Sequence, residues 1–483
     1  MTPTDLALTQ DETEALVCLR ELLALARAAA PVWPGWDPST IPFLLYKPSG
    51  SAFLVNHPFP PAEFYVINAG DSLGRVYGYH GELRKLRRTG SSEINGFETV
   101  VVPIAFGSGL DRSEAFLAEL AGEAFHRHQE GLGIVPPLTA MADAYPDLSA
   151  ENNALGNLEG RVLFEAMASA RQPEVVREAL APVAREFLAV RQARRAGLPW
   201  EMAQYEETVE LCAGPATYVE DRLLDFGSQA PYRSSREWRE LLGRERLDYG
   251  GALLEKRLER LKSINARGEG ATYDRFVLTG SAIAHLLDVL EPRWPARVLG
   301  AGASLTATLA EVAAFQPAAG PGLLAKAQEN HAYAAQYDDE RAFADEEEAR
   351  RQSLLDSVLG QRGRRFVFDL SRVRMTGSDV DAAGVERIDQ TRRLHRRRGT
   401  FFYRETMLDF AGLPVVEDRG GGTFTVVVPP RDLAFTVDHE PFSASEHGRF
   451  HQRLELTGPG VKVVASAGTI EYDDGIVYVH IER

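Results

Sequence analysis

The sequence predicts an α+β fold: an N-terminal helix and a small mixed sheet lead into a helical subdomain, and a β-rich domain closes the chain. Three observations carry this. Apolar residues recur at helical spacing from 111 to 130 and again, almost without a break, from 153 to about 320. Between 43 and 106, short runs rich in β-branched and aromatic residues alternate with turn residues. Beyond about 360 that second pattern returns and persists to the end of the chain.

The first helix is amphipathic and runs from about Asp11 to Ala30. The stretch PVWPGWDPSTIP after it is too rich in proline for a regular element. Strands are expected at FLLYK, AFLVN, FYVINA and RVYGYH, with a tight turn at Asn95-Gly96. The run FETVVVPIAF also reads as a strand, and Pro103, which has no N–H to give to a ladder, predicts that it lies at a sheet edge. Asp111 and Glu114 form a capping-box pattern for the helix that extends to Glu130. Phe116, Leu117, Leu120, Ala121, Ala124 and Phe125 make its core face. Further helices are expected at LGNLEGRVLFEAMASA, PEVVREALAPVAREFLAVRQARRA, QYEETVELCAGPATYVEDRLL and DRFVLTGSAIAHLLDVL. Gly214-Pro215 is expected to interrupt the third, since proline cannot continue the helical ladder. A polar, acid-rich helix spans 329–356, and the strands RRFVFDL, TFFYR, FTVVVP, FHQRLELTG, VKVVASAG, GTIEYDDG and IVYVHIER follow.

These elements divide the 483 residues into a helix and irregular lead-in (1–40), a sheet-and-helix domain (41–325), a charged connecting helix (326–358) and a β-rich domain (359–483). A net charge of −16 disfavours nucleic acid and anionic membrane as partners. The two cysteines, Cys18 and Cys212, are not at ligand spacing, and the N-terminus lacks a signal-like pattern, so a reducing, cytoplasmic setting is expected. No apolar run is long enough to span a bilayer.

The segment Gly122-Glu123-Ala124-Phe125-His126 carries the chemistry. Two histidines four residues apart on a helix would aim both imidazoles at one metal, and a glutamate after the first would act as base on a metal-bound water. Glu123 and His126 stand at the base and second-histidine positions, while Gly122 stands where the first histidine belongs. GEAFHRHQ at 122–129 is followed in order by LEGR at 158–161, FLAVRQARR at 187–195, ELCAGPATYVE at 210–220 and RFVLTGSAIAHLLD at 275–288. This series resembles a bacterial family of zincin-like metallopeptidases of the gluzincin type, over roughly residues 35–310, and it assigns 41–325 to a zincin-like domain. The resemblance implies a cleft between the strand near 97–106 and the 111–130 helix. It also implies a third ligand, a glutamate, at the position held by Ala213.

With ligand positions 122 and 213 empty of donors, the expected protein is a degenerate, non-catalytic member that needs no cofactor and binds a peptide or protein in the cleft. One alternative is an active metallohydrolase holding zinc or another divalent metal through His126 with Glu159 or Glu210, and Glu123 as base. Glu119, Glu123, His126 and Glu130 share a helix face, and Glu206 and Glu207 are further carboxylates on helices that pack nearby. His128 lies roughly 200° around the helix from His126 and cannot replace residue 122. Glu123-x-x-His126 also matches half of a di-iron motif, with no second copy in a helical context. A further alternative is a structural or assembly role carried by the C-terminal β domain. Cys212 would be a nucleophile only with a histidine beside it; otherwise it is a small buried side chain. His285 reads as a core or groove histidine, and Gly300-Ala301-Gly302-Ala303 falls short of a dinucleotide fingerprint. The basic run RRLHRRR at 392–398 reads as a solvated loop or a patch docking the acidic 338–348 segment, rather than a nucleic-acid site.

Overall fold

A computed structural model describes residues 8–29, 32–48, 50–67, 73–81, 89–107, 112–137, 139–171, 177–248, 250–264, 271–298, 300, 302–429 and 433–482. The fold is α+β with a β-rich C-terminal region. It divides into two compact units, Met1–Ala142 with Glu151–Tyr337, and Asp143–Ala150 with Asp338–Arg483. The lead-in helix thus belongs to the first unit, and the acid-rich helix begins in the first and ends in the second. Ala30, Asp111 and Ala301, named above, lie outside the described residues.

In the first unit, α1 (Gln10–Ala28) starts at a capping box in which Thr9 and Glu12 satisfy each other's backbone N–H groups. A sheet follows, built from β1 (Phe43–Lys47), β2 (Ser51–Val55), β3 (Tyr65–Ile67), β4 (Val76–His80), β5 (Gly90–Ile94) and β6 (Phe97–Pro103). Its order is β3-β4-β2-β1-β6-β5, parallel between β1 and β6 and antiparallel elsewhere. β5 and β6 form a hairpin through Asn95-Gly96, whose positive φ values of 47° and 83° suit the tight turn that matches strand twist. That hairpin corrects the edge assignment of FETVVVP. β6 is interior, β5 is the edge, and Pro103 is tolerated because it ends its strand.

Helices complete the unit: α2 (Arg112–Gly131), α3 (Thr139–Ala144), α4 (Ala150–Ala170), α5 (Arg177–Ala196), α6 (Trp200–Ser228), α7 (Arg236–Leu242), α8 (Gly250–Leu261), α9 (Ala271–Leu290), α10 (Leu305–Val312) and α11 (Gly320–Asn330), while the last residues of α3 and most of α12 (Tyr333–Leu359) belong to the second unit. The predicted core face of α2 is buried, and Phe125 meets Trp33 edge-on at 4.9 Å, with Trp294 on the far side of Trp33. α1 fixes the start of α2: Glu14 accepts from Ser113 Oγ and pairs with Arg112.

The expected break at Gly214-Pro215 does not occur; α6 runs continuously through both residues. Pro215 cannot bond the carbonyl of Leu211, but Gln129 Nε2 of α2 donates to that oxygen at 3.0 Å. Gly214 has a separate reason to be glycine. A Cβ there would lie 2.6 Å from the Gly280 backbone, where α6 and α9 cross in contact.

The second unit stacks an eight-stranded and a seven-stranded sheet of described strands around a core that includes Phe366, Phe368, Phe401, Leu408, Phe424 and Val479. Leu355 and Val358, from the end of α12, pack on Ile388, Leu394 and Val416. The basic run is strand rather than loop: Arg392–His395 and Arg398–Tyr403 are both strands. Arg392 pairs with Asp389, Arg396 with Glu386 and Arg397 with Asp381, so local acids take up these charges. In the acidic segment, Glu347 pairs with Arg350 and Arg351 of its own helix.

Candidate functional site

The buried face of α2 decides which of its polar residues gather opposite. Glu119, Gly122, Glu123 and His126 fall on one stripe, at helical spacings of three and four. A cleft of about 310 Å³ opens along it, closed by Glu220 of α6 and by Leu253 and Arg257 of α8. Among the described residues its lining comes from α2, α6 and α8. β5 and the residue before it touch the flank of α2: Thr89 donates to Glu119 (2.8 Å) and Ser91, in the strand, to Glu130 (3.1 Å).

His126 is held in one tautomer. Because Gln129 Nε2 donates to Leu211, its Oε1 is the acceptor that faces His126 Nδ1 at 3.0 Å. Nδ1 therefore carries the proton and Nε2 keeps its lone pair. Burial holds the imidazole below its ordinary pKa, which favours the neutral ring. His128 turns away as predicted. It packs by Phe125 and Gly35, and its buried Nε2 has no partner among the described residues.

Glu123 has no ion pair or hydrogen bond among the described residues. Burial, followed by the charges of Glu119, Glu220 and Glu130, pushes its carboxyl up to about 7. Glu220 is also pushed up to about 7 by burial, against the pull of Arg257 and with help from Asp221 and Glu119. Arg257 pairs with Glu220 and Asp221 and donates to the Thr217 carbonyl at 3.2 Å. Asp221 in turn meets His285 Nε2 at 3.2 Å.

A Cβ at Gly122 would lie 2.3 Å from Glu220 Oε1, the far end of a flexible side chain, so a side chain at 122 requires Glu220 to shift. The carboxylate of Glu220 occupies the space into which a side chain at 122 would project. Ala213 is buried and supplies no donor.

Glu159 and Glu210, the suggested substitute ligands, are turned to another task. Glu159 accepts from Arg191 (2.9 Å) and Arg194 (2.7 Å). Glu210 takes Arg191 at 2.7 Å and the hydroxyl of Thr279 at 2.7 Å. Glu206 pairs with Arg194 and Arg195, and Glu207 with Arg195. Burial raises the carboxyl of Glu159, but Arg191 and Arg194 outweigh it and hold the group below its ordinary range. The RQARR segment of α5 thus ties α4 to α6 through buried, compensated charge, and the carboxylates of Glu159 and Glu210 are engaged by arginines.

Cys212 does have a histidine beside it, with Sγ 3.8 Å from His126 Nδ1. Burial, then Glu130 and Glu123, pushes its thiol up to about 12, so without a metal it is not a thiolate nucleophile at neutral pH. The phenol of Tyr273 feels Cys212 and Glu123 and is likewise pushed up to about 12, first by burial.

A catalytic zinc needs three converging protein donors. Residues 122 and 213 supply none, and Glu159 and Glu210 are held by arginines. Among the described residues no group of three or more His, Cys, Asp and Glu side chains is arranged to hold a metal ion. This donor set does not fit the three-ligand centre that the sequence resemblance implies.

Sequence reasoning missed Glu220, Arg257, Gln129 and Tyr273. Glu220 had a readable signal, since it lies two helical turns beyond Ala213 and so shares its face of α6. Gln129 lies one turn beyond His126. Nothing local marks Arg257 or Tyr273. No family model, curated protein or solved structure matches the chain.

Proposed function

We propose that residues 41–325 form a zincin-like domain that has kept its cleft and exchanged metal chemistry for binding, so that the protein captures a peptide or an extended protein segment without cleaving it. The observation that carries this reading is the seating of Glu220. Its carboxylate, anchored by Arg257, fills the space of a side chain at position 122. The retained features support a cleft built for a ligand: Glu123 without a partner, His126 in a fixed tautomer, and an accessible volume between three helices. The edge strand β5, which borders α2, offers backbone groups to an extended chain.

The test is fluorescence anisotropy with a pool of labelled peptides, followed by mass spectrometry of the same samples with and without added zinc. The reading expects saturable binding and unchanged peptide masses. Cleavage products that depend on Glu123, or absence of binding to any peptide, contradict it.

A further inference from the structure

Most polar groups lining the cleft among the described residues are hydrogen-bond acceptors. Glu119 and Glu123 are carboxylates, Glu220 is a third, and His126, with its proton fixed on Nδ1, adds a bare Nε2. Among the described residues nothing is hydrogen-bonded to that Nε2. Among the described residues Arg257 is the one cation in the lining, and it donates to Glu220, Asp221 and the Thr217 carbonyl. Thr89 satisfies one oxygen of Glu119. Ala115, Ala118 and Leu253 supply the apolar part of the wall.

Burial and mutual repulsion hold the carboxyls of Glu123 and Glu220 partly protonated in the empty cleft, so a cation that relieves the repulsion is favoured, whereas carboxylate and phosphate groups are disfavoured and a neutral amide keeps its carbonyl unpaired. The cleft suits a compact group carrying several N–H donors and a positive charge. Resting on the peptide-binding reading above, we propose that the cleft recognises a protonated primary amine of its ligand, seated between Glu123, Glu119 and His126 Nε2. An ammonium has three donors and no acceptor, which matches this lining group for group. In a peptide the amine comes from a lysine side chain or from a free amino terminus.

Short peptides of one apolar sequence, labelled at the C-terminus, separate the sources. One carries lysine behind an acetylated amino terminus, one carries acetyl-lysine in its place, one has a free amino terminus and norleucine for lysine, and one has neither amine. Titration with the full-length protein should show an amine-bearing peptide binding about tenfold or more tighter than its acetylated counterpart. Which of the two does so identifies the source. n-Butylamine should compete and n-butanol should not, a readout that needs no variant. Glu123→Gln should bring the amine-bearing peptide towards the affinity of the acetylated one. Equal binding of all the peptides overturns the amine proposal and leaves peptide binding standing. Binding by none of them overturns both.

Discussion

Gln129 donates from Nε2 to the carbonyl of Leu211, 3.0 Å away on the neighbouring helix. That carbonyl is free because residue 215 is proline, and the orientation imposed on the amide fixes the tautomer of His126. One bond therefore keeps α6 intact, ties it to α2 and sets the chemistry of the cleft histidine.

Gln129→Ala leaves a buried carbonyl without a donor and should lower stability by about 1–3 kcal/mol. The same change should release His126 from its single tautomer. Nitrogen chemical shifts of the imidazole report this directly: protonated Nδ1 with bare Nε2 in the native protein, and a mixture in the variant. An unchanged tautomer in the variant would show that Gln129 does not set it.

The carboxyl of Glu123 is raised from 4.5 to about 7 in the folded protein. A group raised in this way favours folding below its unfolded value and loses that contribution as pH rises through the folded one. Stability should therefore decline between about pH 5 and pH 8. Glu123→Gln should flatten the profile and be more stable than the native protein at the alkaline end, by roughly 1–3 kcal/mol after allowance for solvent screening. Chemical denaturation across the range measures both effects, and superimposable profiles would contradict the assignment.

Glu159 is predicted to be structural. Glu159→Ala leaves Arg191 and Arg194 buried with less compensation, and should cost about 3–5 kcal/mol. The metal content of the folded fraction should not change. A stable variant with altered metal binding would instead favour the rearranged-ligand alternative.

The helical periodicity of α2, α6 and α9 and the strand-turn alternation beyond 360 were legible because each is a local pattern imposed by one buried face. The continuity of α6 was not, since the donor to the Leu211 carbonyl that Pro215 leaves open lies 82 residues before Leu211. The edge position of β5 was missed because Pro103 was weighed without its place at a strand end. Glu123 and His126 were found from their spacing, whereas Arg257 enters the cleft only through the packing of α8. The arginine partners of Glu159 and Glu210 were not legible because a carboxylate on a helix does not announce its counter-ion. The arginines at 191, 194 and 195 were in view, but their orientation depends on how α4, α5 and α6 pack.

Restoring donors should restore a metal site. Gly122→His combined with Ala213→Glu places two new ligands beside His126, and the Glu220 side chain must swing aside to admit the first. The double variant should take up zinc close to one ion per chain, and each single variant should remain well short of it. Failure of the double variant, when folded, to bind zinc would count against a zincin-like geometry for α2 and α6.

The most direct measurement is elemental analysis of the purified native protein after dialysis against buffer containing zinc. The account predicts zinc far below one ion per chain, unaffected by His126→Ala. One tightly held zinc per chain, lost on that substitution, would contradict it.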